Sequence, residues 1–337
     1  MSSAVRWLAA VEGHRKHSSW RHPVAAFAVG LCTILVASVR AHDMLFGVPS
    51  VGMAESSLRQ HHGSIRRRTA MVLLSYVVGM FAVRLPMLGL AQSCYEMLWS
   101  CNTAMVLASF GLFTERKRLV AAAALSVAID QLMWYVDLVG FVAAGKWPVG
   151  VAKYLARPET TWARIMTSAH HLFFLPLCLC TVGFPAYSPS AGENWEGIPR
   201  YICHMRDDYV LMLCIITVTA MISRFVTPFH LAACHRAPAR SEKGKSRSGG
   251  DAKKMGRADP VADAGGMAVV LNINLVYEVW KDVGRNFPFL ECSHPYGFIH
   301  VPRLLLIWGG LTAPCALVLA SLSRLLSFCE RLRPFSI

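Results

Sequence analysis

The run LVAAAALSVAIDQLMWYVDLVGFVA, residues 119–143, contains only two charged side chains, Asp130 and Asp137. A helix needs about 20 predominantly apolar residues to cross the hydrocarbon core of a bilayer, so this run predicts a membrane-spanning helix. Similar runs recur along the chain, and together they predict an all-α, polytopic transmembrane bundle of about six to eight spanning helices. These runs are residues 23–41, 70–90, 93–113, 164–186, 208–226 and 303–323.

The composition excludes the usual soluble classes. Of 337 residues, 54% are hydrophobic and 16% are charged, and the mean hydropathy is +0.41. Such values are typical of a multi-pass membrane protein. The net charge of +14 lies largely in loops, and no aromatic residues interleave with the basic clusters, so no nucleic-acid partner is predicted. Basic clusters next to spanning helices indicate contact with anionic lipid headgroups.

The chain divides into three predicted parts. Residues 1–69 form an N-terminal anchor helix and a polar loop, residues 70–323 form the helical bundle, and residues 324–337 form a basic C-terminal tail. Within the bundle, residues 236–266 are rich in Gly, Ser, Lys and Arg and lack apolar periodicity, which predicts a disordered basic loop. Basic clusters fall on both predicted sides of the membrane, so the positive-inside rule leaves the orientation open.

Few polar side chains interrupt the apolar runs, and each costs about 2.5–3.5 kcal/mol at the bilayer centre unless it finds a partner. Arg84 is expected to snorkel, Glu96 to begin a helix, and Asp137 to lie near the interface. Asp130 has apolar or small residues on both sides, so it needs a cationic or hydrogen-bonding partner. The histidines of the following span are the nearest candidates.

Those histidines lie in TSAHHLFFLP, residues 167–176. Adjacent residues on a helix project roughly 100° apart, so when one of His170 and His171 faces the bundle interior, the other lies on its flank. Pro176 is expected to kink this helix and to free a backbone carbonyl one turn earlier.

A possible nucleophile lies in SCYEMLWSCNTAMVLASFGLF, residues 93–113, where Cys94 and Cys101 are expected to share one helix face. A buried thiol is inert unless a base activates it, and a histidine from another helix would give a Cys–His pair of the acyl-transfer kind. Amide side chains would then donate to a developing oxyanion, and the candidates are Asn102, Asn272 and Asn274. Cys101 alone is equally well explained as a small apolar residue.

Three segments also carry a family resemblance. WSCNTAMVL (99–107), the histidine helix that ends at Pro176, and LNINLVYEVWKDVGRNFPF (271–289) occur in the order found in YwaF-type integral membrane proteins. They resemble the Cys/His lysophospholipid acyltransferases of the transmembrane protein 164 type and, more distantly, the androgen-induced hydrolases of fatty-acid esters. The similarity covers about residues 90–320, without 187–266.

The resemblance implies Cys101 as the nucleophile, His171 (or His170) as the base, and Asn274 as a late amide. It also implies phospholipid or lysophospholipid substrates and a location in the endoplasmic reticulum. The animal acyltransferases have histidines close to the cysteine, where this chain has Ser100 and Asn102. The androgen-induced hydrolases use a threonine, for which only Thr103 is nearby, so the sequence leaves the nucleophile open between Cys101 and Thr103.

Other interpretations compete with a lipid acyltransferase or ester hydrolase. Buried His, Asp and Arg side chains also suit a transporter or channel, although no paired broken helices of an inverted repeat are evident. A metal-dependent hydrolase would use His170, His171 and Asp130 with His230 or His235, but none of the eleven cysteines forms a CxxC pair and the histidines show no HExxH spacing. We therefore predict no metal and no other cofactor. A non-catalytic membrane protein is the fourth interpretation.

Overall fold

The computed structural model describes residues 22–47, 57–158, 160–182, 197–227, 230–231, 269–270, 302 and 305–317. The helices are α1 (Pro23–Phe46), α2 (Ser57–Glu96), α3 (Ser100–Phe113), α4 (Lys117–Ala144), α5 (Trp162–Thr167), α6 (His170–Val182), α7 (Gly197–Val226) and α8 (Leu305–Leu317), with one 3₁₀ turn at Lys153–Ala156. Two short strands, β1 (His230–Leu231) and β2 (Val269–Val270), pair antiparallel.

The fold is a multi-pass helical membrane bundle, as the sequence predicts. In the described part of the chain, five helical segments are long and apolar enough to cross a bilayer: Pro23–Phe46, Ser64–Glu96, Lys117–Ala144, Trp162–Thr181 and Arg206–Val226. Helices α3 and α8 are apolar but shorter. The predicted all-α, polytopic class is confirmed; against the six to eight spanning helices predicted, the described residues contain five candidate spans and two shorter apolar helices.

Helix α4 occupies the centre of the bundle and packs against α3, α6 and α7. Its first half carries four consecutive alanines, Ala121 to Ala124, all buried. Small side chains let neighbouring backbones approach closely, which is the usual basis of helix association where water supplies no hydrophobic driving force. Large side chains such as Met105, Phe174 and Leu211 fill the space around this half of α4.

The outer faces of the helices are apolar. Val29 on α1 and Val78 on α2 are each 61% exposed, and Val139 on α4 is 67% exposed. A helix satisfies its own backbone hydrogen bonds, so such a face is stable against acyl chains although it would be costly in water.

The connection between the predicted spans 70–90 and 93–113 differs from the sequence prediction. Pro86 lies within α2, and Gly89 (φ 77°, ψ 164°) adopts a non-helical conformation that is essentially restricted to glycine. The chain resumes its helix until Glu96, turns, and starts α3 at Ser100. The prediction of one helix over residues 93–113 is therefore wrong. Cys94 and Cys101 lie on separate helices and do not share a helix face.

Helix α2 begins at Ser57, so residues 57–69 are helical where the sequence analysis expected a polar loop. The predicted basic loop at 236–266 and the C-terminal tail at 324–337 fall outside the described residues.

Candidate functional site

The site begins at the break between α5 and α6. Helix α5 ends at Thr167 and α6 begins at His170, so the two histidines occupy the first turn of α6, within the candidate span Trp162–Thr181. Nδ1 of His170 lies 2.9 Å from the Thr167 carbonyl oxygen. A carbonyl only accepts, so Nδ1 carries the proton and Nε2 keeps the lone pair. This Nε2 is buried and has no hydrogen-bond partner among the described residues.

His171 faces Asp130, as the sequence analysis expected for one of the two histidines. Nδ1 of His171 lies 3.7 Å from Oδ2 of Asp130, which is an ion-pair distance but too long for a hydrogen bond. The His171 ring stacks on Trp134 with 5.3 Å between ring centroids, and it lies 4.2 Å from the His170 ring centroid.

Cys101 joins the histidines from α3. It lies in the first turn of that helix, and its side chain is buried. Its sulfur and one ring nitrogen from each of His170 and His171 all lie within 4.8 Å of one another. The sulfur and the imidazoles therefore converge from separate helices, which is the spatial arrangement that the acyl-transfer interpretation requires.

The two amide and hydroxyl neighbours of Cys101 are engaged with the local backbone. Asn102 donates from Nδ2 to the Glu96 carbonyl at 2.9 Å, and its Oδ1 accepts from the Cys101 thiol at 3.7 Å. The Thr103 hydroxyl donates to the carbonyls of Trp99 and Ser100. Asn102 thus holds the α2–α3 turn and the sulfur together, while the Thr103 hydroxyl is directed along its own helix.

Arg84, which the sequence analysis expected to snorkel, makes two contacts within the bundle. Its Nη1 lies 3.2 Å from Oε2 of Glu96, and its Nε donates to the Thr167 hydroxyl at 3.0 Å. Glu96 also accepts from Gln92 at 2.7 Å and ends α2, where the sequence analysis expected it to begin a helix. These contacts join the cysteine-bearing turn to the end of α5.

The charge of Arg84 acts on both histidines and on Cys101. Sequence reasoning missed this contribution because the partner of Arg84 on α5 is more than 80 residues away along the chain. The only sign of this contribution in the sequence was the presence of opposite charges at Arg84 and Glu96, on either side of Pro86 and Gly89.

Helix α4 supplies further contacts to α6. Gln131 accepts from the Leu175 backbone N–H at 3.2 Å through Oε1, while its Nε2 is buried with no hydrogen-bond partner in the described part of the chain. The Tyr135 hydroxyl donates to the Leu172 carbonyl at 3.1 Å. Pro176 cannot bond that carbonyl because it has no N–H, so the predicted free carbonyl is present and Tyr135 satisfies it.

The segment after α4 is anchored against the site by Asp137. Its carboxylate accepts from the backbone N–H groups of Val149, Gly150 and Ala152 at 2.7, 3.0 and 2.8 Å, and the side chain is fully buried. Asp137 therefore has a structural role within the protein interior. The anchored segment carries Tyr154, which contacts Ser168 and Trp134. Burial raises the pKa of Tyr154, so its hydroxyl remains protonated.

Access to the cluster differs between its two sides. Cys101 is 8% exposed and His170 is 2% exposed, whereas the Asp130 side chain is 24% exposed. The neighbouring apolar residues Val136 and Leu172 are about half exposed. The Asp130 side is therefore the more exposed side of the cluster, and exposed apolar side chains lie near it.

The remaining predicted site residues lie elsewhere. Asn272, Asn274 and His235 fall outside the described residues, and His230 lies in strand β1. Their predicted roles stay predictions.

No protein-family model, no curated protein and no solved structure matches this chain. The resemblance to YwaF-type and transmembrane protein 164-like proteins therefore stays a prediction that rests on the three short segments.

Proposed function

We propose that the protein is an intramembrane lipid acyl-transfer enzyme with Cys101 as its nucleophile. The observation that carries this proposal is the convergence of the Cys101 sulfur with ring nitrogens of His170 and His171 within 4.8 Å in a largely buried cluster. A thiol in such surroundings needs an adjacent base to become a nucleophile, and two imidazoles are within reach.

His170 is the better-prepared base. The 2.9 Å hydrogen bond from Nδ1 to the Thr167 carbonyl leaves the Nε2 lone pair to accept the thiol proton. His171 and Asp130 form a second pair beside it, with 3.7 Å between Nδ1 and Oδ2. His170 is therefore the proposed general base and His171 the supporting residue. This reverses the order that the sequence analysis preferred.

The reaction has two steps. In the first, His170 takes the Cys101 proton, the thiolate attacks the ester carbonyl of a phospholipid, and the imidazolium returns the proton to the departing alcohol. In the second, the imidazole removes a proton from a lysophospholipid hydroxyl or from water. That oxygen attacks the thioester, and the sulfur leaves and recovers a proton. Asn102 is not the donor to the developing oxyanion, because its Nδ2 is bonded to the Glu96 carbonyl. The proposed donor is the buried Nε2 of Gln131.

A lipid substrate fits the surroundings of the cluster. The accessible side is flanked by exposed apolar side chains, so an acyl chain can approach within the bilayer plane. Arg67 and Arg68 are exposed near the start of the α2 span, where basic residues attract anionic headgroups. The family resemblance adds lysophospholipid as the acceptor and the endoplasmic reticulum as the location.

The test is acyl exchange between labelled lysophospholipid and phospholipid with the purified chain in liposomes. We expect Cys101→Ala to abolish exchange and His170→Gln to slow it roughly 10²–10⁴-fold, the usual contribution of a general base. Cys180→Ala is the matched control because Cys180 is an exposed cysteine on α6. A hydroxylamine-sensitive acyl adduct should form on Cys101 in the wild type.

Full exchange activity in both Cys101→Ala and His170→Gln would refute the proposal. Loss of activity in Thr103→Val, with activity kept in Cys101→Ala, would identify Thr103 as the nucleophile.

A second candidate function is proton-coupled transport. The observation that favours it is the pair of largely buried charge contacts on candidate spans, Arg84 with Glu96 and His171 with Asp130, because buried ionisable groups often form proton relays. Proton flux into liposomes that persists in Cys101→Ala and disappears in Asp130→Asn would favour transport over acyl transfer.

A further inference from the structure

Three soft or borderline donor atoms converge at the site from two helices. They are the Cys101 sulfur and one ring nitrogen each from His170 and His171, all within 4.8 Å of one another. Zinc binds thiolate at about 2.3 Å and imidazole at about 2.0–2.1 Å in tetrahedral geometry, so its ligand atoms lie about 3.3–3.6 Å apart. Side-chain movements of about 1 Å would bring the widest pair to that separation.

Both imidazoles have an acceptor near Nδ1. Nδ1 of His170 donates to the Thr167 carbonyl, and Nδ1 of His171 faces the Asp130 carboxylate. Histidine ligands of metals nearly always present their second nitrogen to such a carbonyl or carboxylate, which fixes the tautomer and orients the ring.

A buried atom without a hydrogen-bond partner also favours a bound cation. The Nε2 of His170 carries a lone pair and has no hydrogen-bond partner among the described residues. The residue is only 2% exposed, so bulk water does not supply a partner. Leaving such an atom unpaired is unfavourable, and a cation bound there would pair it.

The charges also balance. A divalent cation, a Cys101 thiolate and the Asp130 carboxylate sum to zero, while Arg84 and Glu96 already neutralise each other at 3.2 Å. A neutral assembly avoids the desolvation penalty of an unpaired charge in a low-dielectric interior.

We propose that Cys101, His170 and His171 form a binding site for a soft divalent cation of the zinc class, and that the bound ion switches acyl transfer off. The ion coordinates the Cys101 thiolate, whose proton passes to solvent, and it occupies the lone pairs that would otherwise accept the thiol proton. The binding stands on the cluster alone, whereas the inhibition rests on the proposed function.

Binding is measured with Co²⁺ and Zn²⁺ on the purified full-length chain in nanodiscs. Tetrahedral Co²⁺ with a thiolate ligand gives intense d–d bands and a sulfur-to-cobalt charge-transfer band, so the wild type reports its own ligand set. We expect Cys101→Ser to remove the charge-transfer band and His170→Gln to weaken Zn²⁺ affinity at least about tenfold. Asp130→Asn should weaken it about 10–100-fold as a loss of outer-sphere support. Cys180→Ser should leave the spectrum unchanged.

Inhibition is measured as acyl exchange at rising free Zn²⁺, with reversal by a chelator. Loss of exchange at the concentration that saturates the Co²⁺-competition signal supports the switch, and unchanged exchange at saturation overturns it. Identical Co²⁺ spectra and Zn²⁺ affinities in the wild type, Cys101→Ser and His170→Gln overturn the site. If the metal site is present but the metal-free wild type shows no exchange, the proposed function fails and the binding stands.

Discussion

Arg84 and Glu96 form an ion pair across the non-helical Gly89, with 3.2 Å between Nη1 and Oε2. The pair links the two parts of α2 on either side of the break, and the second hydrogen bond of Arg84, to Thr167, ties them to the start of the histidine segment. The cysteine-bearing turn and the histidine-bearing turn are thus held in register by one guanidinium.

The first prediction concerns this pair. Glu96→Gln should lower the free energy of unfolding by about 3–5 kcal/mol, since it leaves a mostly buried guanidinium without a counter-charge. The Arg84→Gln/Glu96→Gln double variant should lose less than the sum of the two single losses, because each single change already removes the shared interaction. Thermal unfolding in detergent measures all three, and strict additivity would show that the two side chains are energetically independent.

The second prediction separates the two histidines. His170→Gln should reduce acyl exchange more than His171→Gln, because only His170 has its tautomer fixed by a full hydrogen bond at 2.9 Å. Asp130→Asn should have little additional effect in the His171→Gln background, since Asp130 acts through His171. Exchange rates of the single and double variants test the order. A larger loss in His171→Gln would make His171 the base.

The third prediction concerns close packing at Gly140. A Cβ at this position would lie 2.6 Å from Cγ and Cδ of Pro148, so Gly140→Ala should push the segment after α4 away and destabilise the protein by about 1–3 kcal/mol. Gly79 on α2 is the matched control, because a Cβ there meets nothing within 4 Å. Gly79→Ala should be neutral or slightly stabilising through its higher helix propensity. Equal unfolding temperatures for the two variants would contradict the packing argument.

The fourth prediction concerns the Asp137 carboxylate. In Asp137→Asn an amide group would face one of the three backbone N–H donors at Val149, Gly150 and Ala152, leaving a buried donor unpaired. We expect a loss of about 1–3 kcal/mol in unfolding free energy and faster hydrogen exchange at residues 149–152. Asp207→Asn, at a more exposed carboxylate paired with Arg206, should change neither measurement appreciably. Unchanged exchange at 149–152 in Asp137→Asn would mean that other contacts hold this segment.

The membrane class and the approximate number of spans follow from the sequence alone, because the bilayer imposes one requirement on every span. Each must be apolar over about 20 residues and must satisfy its backbone internally, and a run such as 119–143 displays both properties without reference to any other part of the chain. The same reasoning recognised Asp130, His170 and His171 as side chains that need partners, and it anticipated the carbonyl left free by Pro176.

The tertiary structure alone decided which partners those side chains have. Helix ends at Glu96 and Thr167 depend on contacts between distant segments, so local propensity placed Cys94 and Cys101 on one helix and the histidines within an unbroken helix. The sequence did not predict the hydrogen bond of Arg84 to the Thr167 hydroxyl or the contact of Asp137 with the backbone at 149–152, which only the fold supplies. The physical reason is that hydrogen bonds and ion pairs act over about 3–4 Å in space, a distance that the order of residues along the chain does not encode.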